Sequence, residues 1–141
     1  MEQELITEDI RKALAETTKA LQAEVHLEVF TKTGVNDTFN DSLVALVKTL
    51  AEISPKIKPS FFKIGDAQSR KRNVERSPTL LVDPDKYRIR FTGAPLGEEG
   101  RSLILAIVMA STRAITLSEE SLKKLLTLDA EREIQVYVSP T

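Results

Sequence analysis

Few residues in this chain could do chemistry, and their types narrow the possibilities quickly. There is no cysteine, which excludes disulfides, thiolate metal sites and thiol catalysis within these residues. The single histidine, His26, cannot form a multi-histidine zinc site and gives little basis for a histidine-based triad. Lying in a strand-like stretch, it reads as packed or surface-exposed. What remains are charged groups in special settings. Glu98 and Glu99 follow directly on the turn Gly93-Ala94-Pro95-Leu96-Gly97 and head a helical stretch, where acids complement the positive helix end. Gly97-Glu98-Glu99-Gly100 is not a phosphate cradle, because two acids would repel the ligand. Arg70-Lys71-Arg72 is the one dense basic cluster. It reads first as a solvated loop and second as a docking point for an acidic partner. No aromatic residues interleave its charges, which disfavours nucleic acid.

The elements that must position these residues can be read from periodicity. Thr7-Glu8-Asp9 begins a helix, with threonine as its cap and Ile10, Leu14, Thr17 and Leu21 at helical spacing to about Ala23. Val25 to Phe30 alternates as a strand. Gly34-Val35-Asn36-Asp37 turns the chain into a second helix, with Asp37 or Thr38 as its cap and Leu43, Leu46, Val47 and Leu50 as its buried stripe, ended by Ser54-Pro55. Ile57 to Ile64 reads as a strand parallel to the first, which makes a crossover and calls for cover on both sheet faces. Gly65 to Ser77 lacks an apolar period and reads as an irregular excursion with room for one helical turn. Thr79 to Val82 and Tyr87 to Phe91 flank Asp83-Pro84-Asp85-Lys86 as a hairpin. A long helix carrying Leu103, Ile104, Ile107 and Val108 follows, then a helix from Glu119 to Leu128 capped by Ser118. Ile134 to Thr141 repeats the strand-plus-turn pattern of Leu27 to Thr33 and stops without a return element. This predicts a second unit beginning there, with Ile134 to Val138 on a sheet edge, in a dimer contact, or frayed.

At 141 residues, 41% apolar and 29% charged, with a formal charge of -1, the chain has the length of one domain and the composition of a soluble protein. The charge gives no bulk reason to expect nucleic acid or an anionic membrane. No apolar run reaches a membrane span, and the acidic start Met1-Glu2-Gln3-Glu4 is unlike a secretion signal. A cytoplasmic protein is expected.

The element order is that of the thioredoxin fold, and particular residues narrow the likeness. Arg90-Phe91-Thr92-Gly93-Ala94-Pro95-Leu96-Gly97-Glu98-Glu99, Arg76-Ser77-Pro78-Thr79-Leu80 and the final Tyr137-Val138-Ser139-Pro140-Thr141 resemble blocks of the N-terminal domain of the alkyl hydroperoxide reductase flavoprotein subunit. The likeness runs the length of the chain in the right order. It implies an α/β, thioredoxin-like fold, a central mixed sheet of about four strands flanked by helices. Residues 1–112 would form a unit lacking the Cys-x-x-Cys, and residues 113–141 a helix and strand opening a second, truncated unit.

The resemblance also implies roles. Gly34, Val35, Asn36 and Asp37 take the place of a dithiol, Pro78 that of the cis-proline facing it, and Glu99 that of a glutamate approaching the second unit's dithiol. No oxidoreductase activity is expected of this chain alone, and no metal or cofactor, while a longer protein would use FAD and NAD(P)H. The implied partners are a second thioredoxin-like unit, a flavin domain and a peroxiredoxin, with a homodimer as a further possibility and no nucleic acid or membrane. Two other readings stay open: a stand-alone binding module using the groove around Gly34 and Pro78, and a piece of a tandem protein disulfide oxidoreductase.

Overall fold

A computed structural model describes residues 6–139; Met1 to Leu5, Pro140 and Thr141 lie outside it. The elements are α1 (Glu8–Thr18), β1 (Val25–Thr31), α2 (Asp37–Ile53), β2 (Ile57–Lys63), α3 (Ala67–Lys71), β3 (Thr79–Val82), β4 (Ile89–Thr92), α4 (Glu98–Thr112) and α5 (Glu119–Leu126). The sheet order is β2-β1-β3-β4. β1 pairs with β2 in parallel and with β3 in antiparallel, and β3 with β4 in antiparallel.

Alternation along β1 sorts the two faces, because successive side chains point to opposite sides. Val25, Leu27 and Val29 join Leu80 and Val82 of β3 beneath Leu43, Val47 and Leu50 of α2 and Leu103 and Ile107 of α4, with Leu14 of α1 packed alongside. The buried stripe of α2 recurs every three or four residues, the spacing of one helix face. Each such side chain contributes about 1.5–3 kcal/mol by leaving water. On the opposite face Phe30, Leu81 and Val74 form a smaller core with Phe62 and Ile64, and Phe30 stacks on Phe62 with ring centroids 5.3 Å apart. Both faces are covered, as a crossover requires, but unequally. Three helices lie on one side, while the other has only the single turn of α3 and the chain that follows it.

That thin cover is held by charge. Arg72, just past α3, donates from Nε to Glu28 Oε2 at 2.9 Å and from Nη2 to Oε1 at 3.0 Å, and Gln68 Nε2 also reaches Oε1 at 2.9 Å. Arg72 Nη2 then reaches Asp85 in the β3–β4 turn at 2.8 Å. Arg70 and Lys71 are solvated as the sequence suggests, though on the turn of α3 rather than a loop, and Arg72 alone departs from that reading. Arg72 is withdrawn beneath the surface, its affinity for its proton raised by the hydrogen bond to Glu28, while the same arginine holds Asp85 below its ordinary range. Arg70 turns back onto the Gly65 carbonyl.

Other boundaries differ in detail. α1 ends at Thr18 rather than near Ala23, and Ser111 at the far end of α4 secures the connector. Its Oγ accepts from the N–H groups of Gln22 and Ala23 at 2.9 and 3.0 Å and donates to the Ala23 carbonyl. In the hairpin turn the Asp83 carbonyl accepts from Lys86 and Tyr87 N–H. The buried Asp83 Oδ2 has no hydrogen bond, although Lys86 Nζ stands 3.3 Å away as an ion pair outside hydrogen-bond geometry.

The edge strand β2 is guarded. Val25 N–H binds Lys56 O and Ile64 N–H binds Thr31 O, so the even-numbered residues between them turn their backbone groups to β1. Of the outward set, Ile57 N–H binds Ser54 O, Lys63 N–H binds Asp66 Oδ2, and Pro59 has none. Phe61 carries the one outward N–H left among these described residues.

Ile134 to Val138 does not form a strand; residues 131–139 carry no regular structure and are exposed. An alternating pattern makes a strand only with a neighbour to pair with, and this segment pairs with neither edge strand, β2 nor β4. Nor does α5 bury any residue, although Ser118 caps it at Ser121 N–H.

Candidate functional site

At one end of the sheet three loops converge. β1 runs out into Lys32 to Asn36, the chain enters β3 through Arg76 to Pro78, and β4 leaves through Gly93 to Gly97. The Ser77–Pro78 peptide is cis. Pro78 O accepts Gly93 N–H at 2.9 Å, which ties the second loop to the third.

The first loop is tied to the second by side chains. Ser77 Oγ accepts Lys32 N–H at 2.7 Å and donates to Asn40 Oδ1 at 2.8 Å. Asn40 Nδ2 donates to Lys32 O at 3.1 Å and Val35 O at 2.9 Å. Asn36 Nδ2 donates to Ser77 O at 2.8 Å. Neither Asp37 nor Thr38 caps α2. The cap position is Asn36, in the left-handed region at φ 56°, with no side-chain bond to the helix. The Asp37 carboxylate instead accepts Gly34 N–H at 2.8 Å. Gly34 has φ +84°, a conformation glycine takes freely and residues with a β-carbon resist. The four residues from Gly34 to Asp37 thus form a closed turn, held within by Asp37 and from outside by Asn40 and Ser77.

Glu99 stands in the first turn of α4, half-buried, and burial raises its carboxyl pKa above the ordinary 4.5. A helix N-terminus alone would lower it; desolvation outweighs that here. The charged neighbours on its helix, Glu98 and Arg101, pair with each other at 3.7 Å. Because the folded-state pKa is raised, the folded protein binds the extra proton. The associated stability is present below about pH 4.5 and lost as pH rises through the folded value. Glu99→Gln should therefore be progressively more stable than the parent as pH climbs through that window, with no difference below it. Urea midpoints from pH 4 to 7 would show this, and a pH-independent difference would refute it.

At Gly100 a β-carbon would stand in van der Waals contact with Pro95 O, at 3.4 Å. The Gly93–Gly97 turn therefore packs against the first turn of α4. His26 is exposed on β1 and stands apart from these loops, as does Arg70-Lys71-Arg72. A concavity of about 380 Å³ between Ile64 and Glu75 shares no residue with the three loops. Among the described residues no group of His, Asp or Glu is arranged to hold a metal ion, and no helix is long and apolar enough to cross a membrane. Asn40 and Ser77, the buried polar centre of the site, were not singled out by sequence reasoning, because neither belongs to a recognisable spacing.

No family model matches the chain. In sequence it is similar to an "NADH dehydrogenase" of Ferdinandcohnia aciditolerans, 27% identical over 92% of this chain and 23% of that protein. It is also similar to the alkyl hydroperoxide reductase AhpF of Staphylococcus aureus, 22% identical over 97% of this chain and 25% of that protein. The chain thus spans about a quarter of the length of the curated relatives it matches. In structure it superposes on a protein disulfide oxidoreductase from Aeropyrum pernix with TM-score 0.76 and 28% identity, covering 89% of this chain and 56% of that one. The N-terminal domain of the alkyl hydroperoxide reductase AhpF from Enterococcus faecalis gives TM-score 0.73 and 23% identity, covering 87% and 61%. The fold is thioredoxin-like, and chain and fold both resemble that N-terminal domain.

Proposed function

We propose that this chain is the non-catalytic thioredoxin-like half of an electron-relay domain, in a longer cytoplasmic flavin-dependent disulfide reductase that reduces a peroxiredoxin. The observation that carries this reading is a thioredoxin-like fold without cysteine, in which Gly34 to Asp37 join β1 to α2 where the resemblance puts a dithiol. Such a unit cannot relay electrons itself, because glycine and aspartate have no redox chemistry to offer. Its part is to pack against a second unit bearing the dithiol and to bring Glu99 near it. A carboxylate beside a thiol raises the thiol pKa and can shuttle its proton.

Residues 113–141 fit this reading as the opening of that second unit. Ile115, Leu117, Leu126, Ile134, Val136 and Tyr137 are all at least half exposed, an apolar surface of the kind that a neighbouring domain covers. FAD and NAD(P)H belong to the longer protein, and their binding residues would lie outside this sequence.

Sequencing the transcript past the codon for Thr141 tests the proposal. The expected result is a Cys-x-x-Cys at once, followed by flavin-type Gly-x-Gly-x-x-Gly motifs, and NAD(P)H-driven reduction of a peroxiredoxin by the encoded protein. A stop codon there would end it and leave a binding module. A second reading is favoured by the 28% identity and 0.76 TM-score to the Aeropyrum pernix protein, namely part of a tandem protein disulfide oxidoreductase. A dithiol with no flavin motif after it would select that alternative.

A further inference from the structure

Asn40 and Ser77 are buried polar side chains, exposed by only 5% and 7%, and the reading above gives them nothing to do. Burying such groups is costly unless each is hydrogen-bonded, and here each is. Their bonds join three segments far apart in sequence: Lys32 to Val35, the first turn of α2, and the step into β3. Apolar contacts could hold these loops together, but only directional bonds fix their relative register.

The register is passed on. Pro78 O holds Gly93 N–H, and two residues later Pro95 O lies against Gly100, next to Glu99. A displacement of the Ser77–Pro78 step would therefore move the Gly93–Gly97 turn and, with it, the first turn of α4.

We propose that Asn40 and Ser77 are positioning residues for the first turn of α4, which carries Glu99: they clasp the Gly34–Asp37 loop to the Ser77–Pro78 step and, through Pro78 O and Gly93 N–H, fix the turn that leads into that helix. The functional weight of this proposal rests on the relay reading; its physical content does not. The clasp holds the two loops in one arrangement.

The test is NMR on the 141-residue chain, following the Glu99 side-chain carboxyl through a pH titration and the Gly93 amide by hydrogen exchange. The charged groups near Glu99 are Glu98 and Arg101, paired to each other, and the turn packed on it carries no charge, so a moved midpoint reports changed burial. Ser77→Ala should shift the midpoint toward that of an exposed glutamate and speed Gly93 exchange roughly tenfold. Asn40→Asp, which keeps the acceptor for Ser77 and loses both donors, should do the same. Ser111→Ala is the control: it removes a buried serine at the other end of α4, and should lower stability without moving Glu99. An unmoved midpoint in both clasp variants, or an equal shift in Ser111→Ala, would overturn the proposal. The relay reading fails separately, if no Cys-x-x-Cys is encoded after Thr141; Glu99→Gln in the longer protein tests only whether Glu99 tunes the relay.

Discussion

Glu28→Ala should lose about 3–5 kcal/mol of folding stability, because it strands a mostly buried guanidinium. Arg72 keeps 13% of its side-chain surface exposed and Glu28 keeps 11%. Without the carboxylate, Arg72 retains only Asp85, whose side chain is 80% exposed and whose attraction water largely screens. The pair itself is not the main source of stability, since desolvating two charges offsets most of their attraction. Glu28→Leu combined with Arg72→Met should accordingly fall within about 2 kcal/mol of the parent. Urea unfolding followed by circular dichroism would measure both. Equal losses in the single and double variants would mean that the ion pair does not hold α3 on the sheet in the way its geometry implies.

Introducing cysteines in the Gly34–Asp37 turn should not produce a working dithiol. Gly34→Cys with Asp37→Cys is expected to lose roughly 2–4 kcal/mol, from a β-carbon forced into the left-handed region and the loss of a carboxylate that satisfies a loop N–H. It should also remain inactive in dithiothreitol-driven insulin reduction. The start of α2 could stabilise a thiolate. However, a cysteine at 34 must leave φ +84°, and the loop then pulls against the bonds from Asn40 to Val35 and from Asn36 to Ser77. Turnover near that of a working dithiol protein would show that this backbone accepts a dithiol after all.

Periodicity disclosed the frame because the frame is built from local repeats. Val25 to Phe30 alternates, Leu43, Val47 and Leu50 make a stripe, and Asp83-Pro84-Asp85-Lys86 marks the hairpin; each signal lies within a short stretch of chain. Pro78 was legible through the block around it. The polar interior was not. Glu28 looks like the outward residue of an alternating strand until Arg72, 44 positions later, is brought over it. Ser77 and Asn40 are 37 positions apart, and each alone is an ordinary polar residue. Asn36 was hidden for a different reason, since its cap position depends on a left-handed backbone that no spacing announces. Ile134 to Val138 shows the converse failure, where the pattern was legible but the strand it describes needs a neighbour.

The guarded edge of β2 has a consequence for colloidal behaviour. Intermolecular sheet growth proceeds by successive N–H to C=O pairings along an open strand, and β2 offers only the Phe61 donor beside Pro59. A misdocked chain arriving there would have most of its carbonyls left dry and unpaired. Precipitation of this chain at high concentration should thus begin not at the β2 edge but on the uncovered apolar surface between Ile115 and Val138, and charges introduced there should raise its solubility more than the same charges placed on β2.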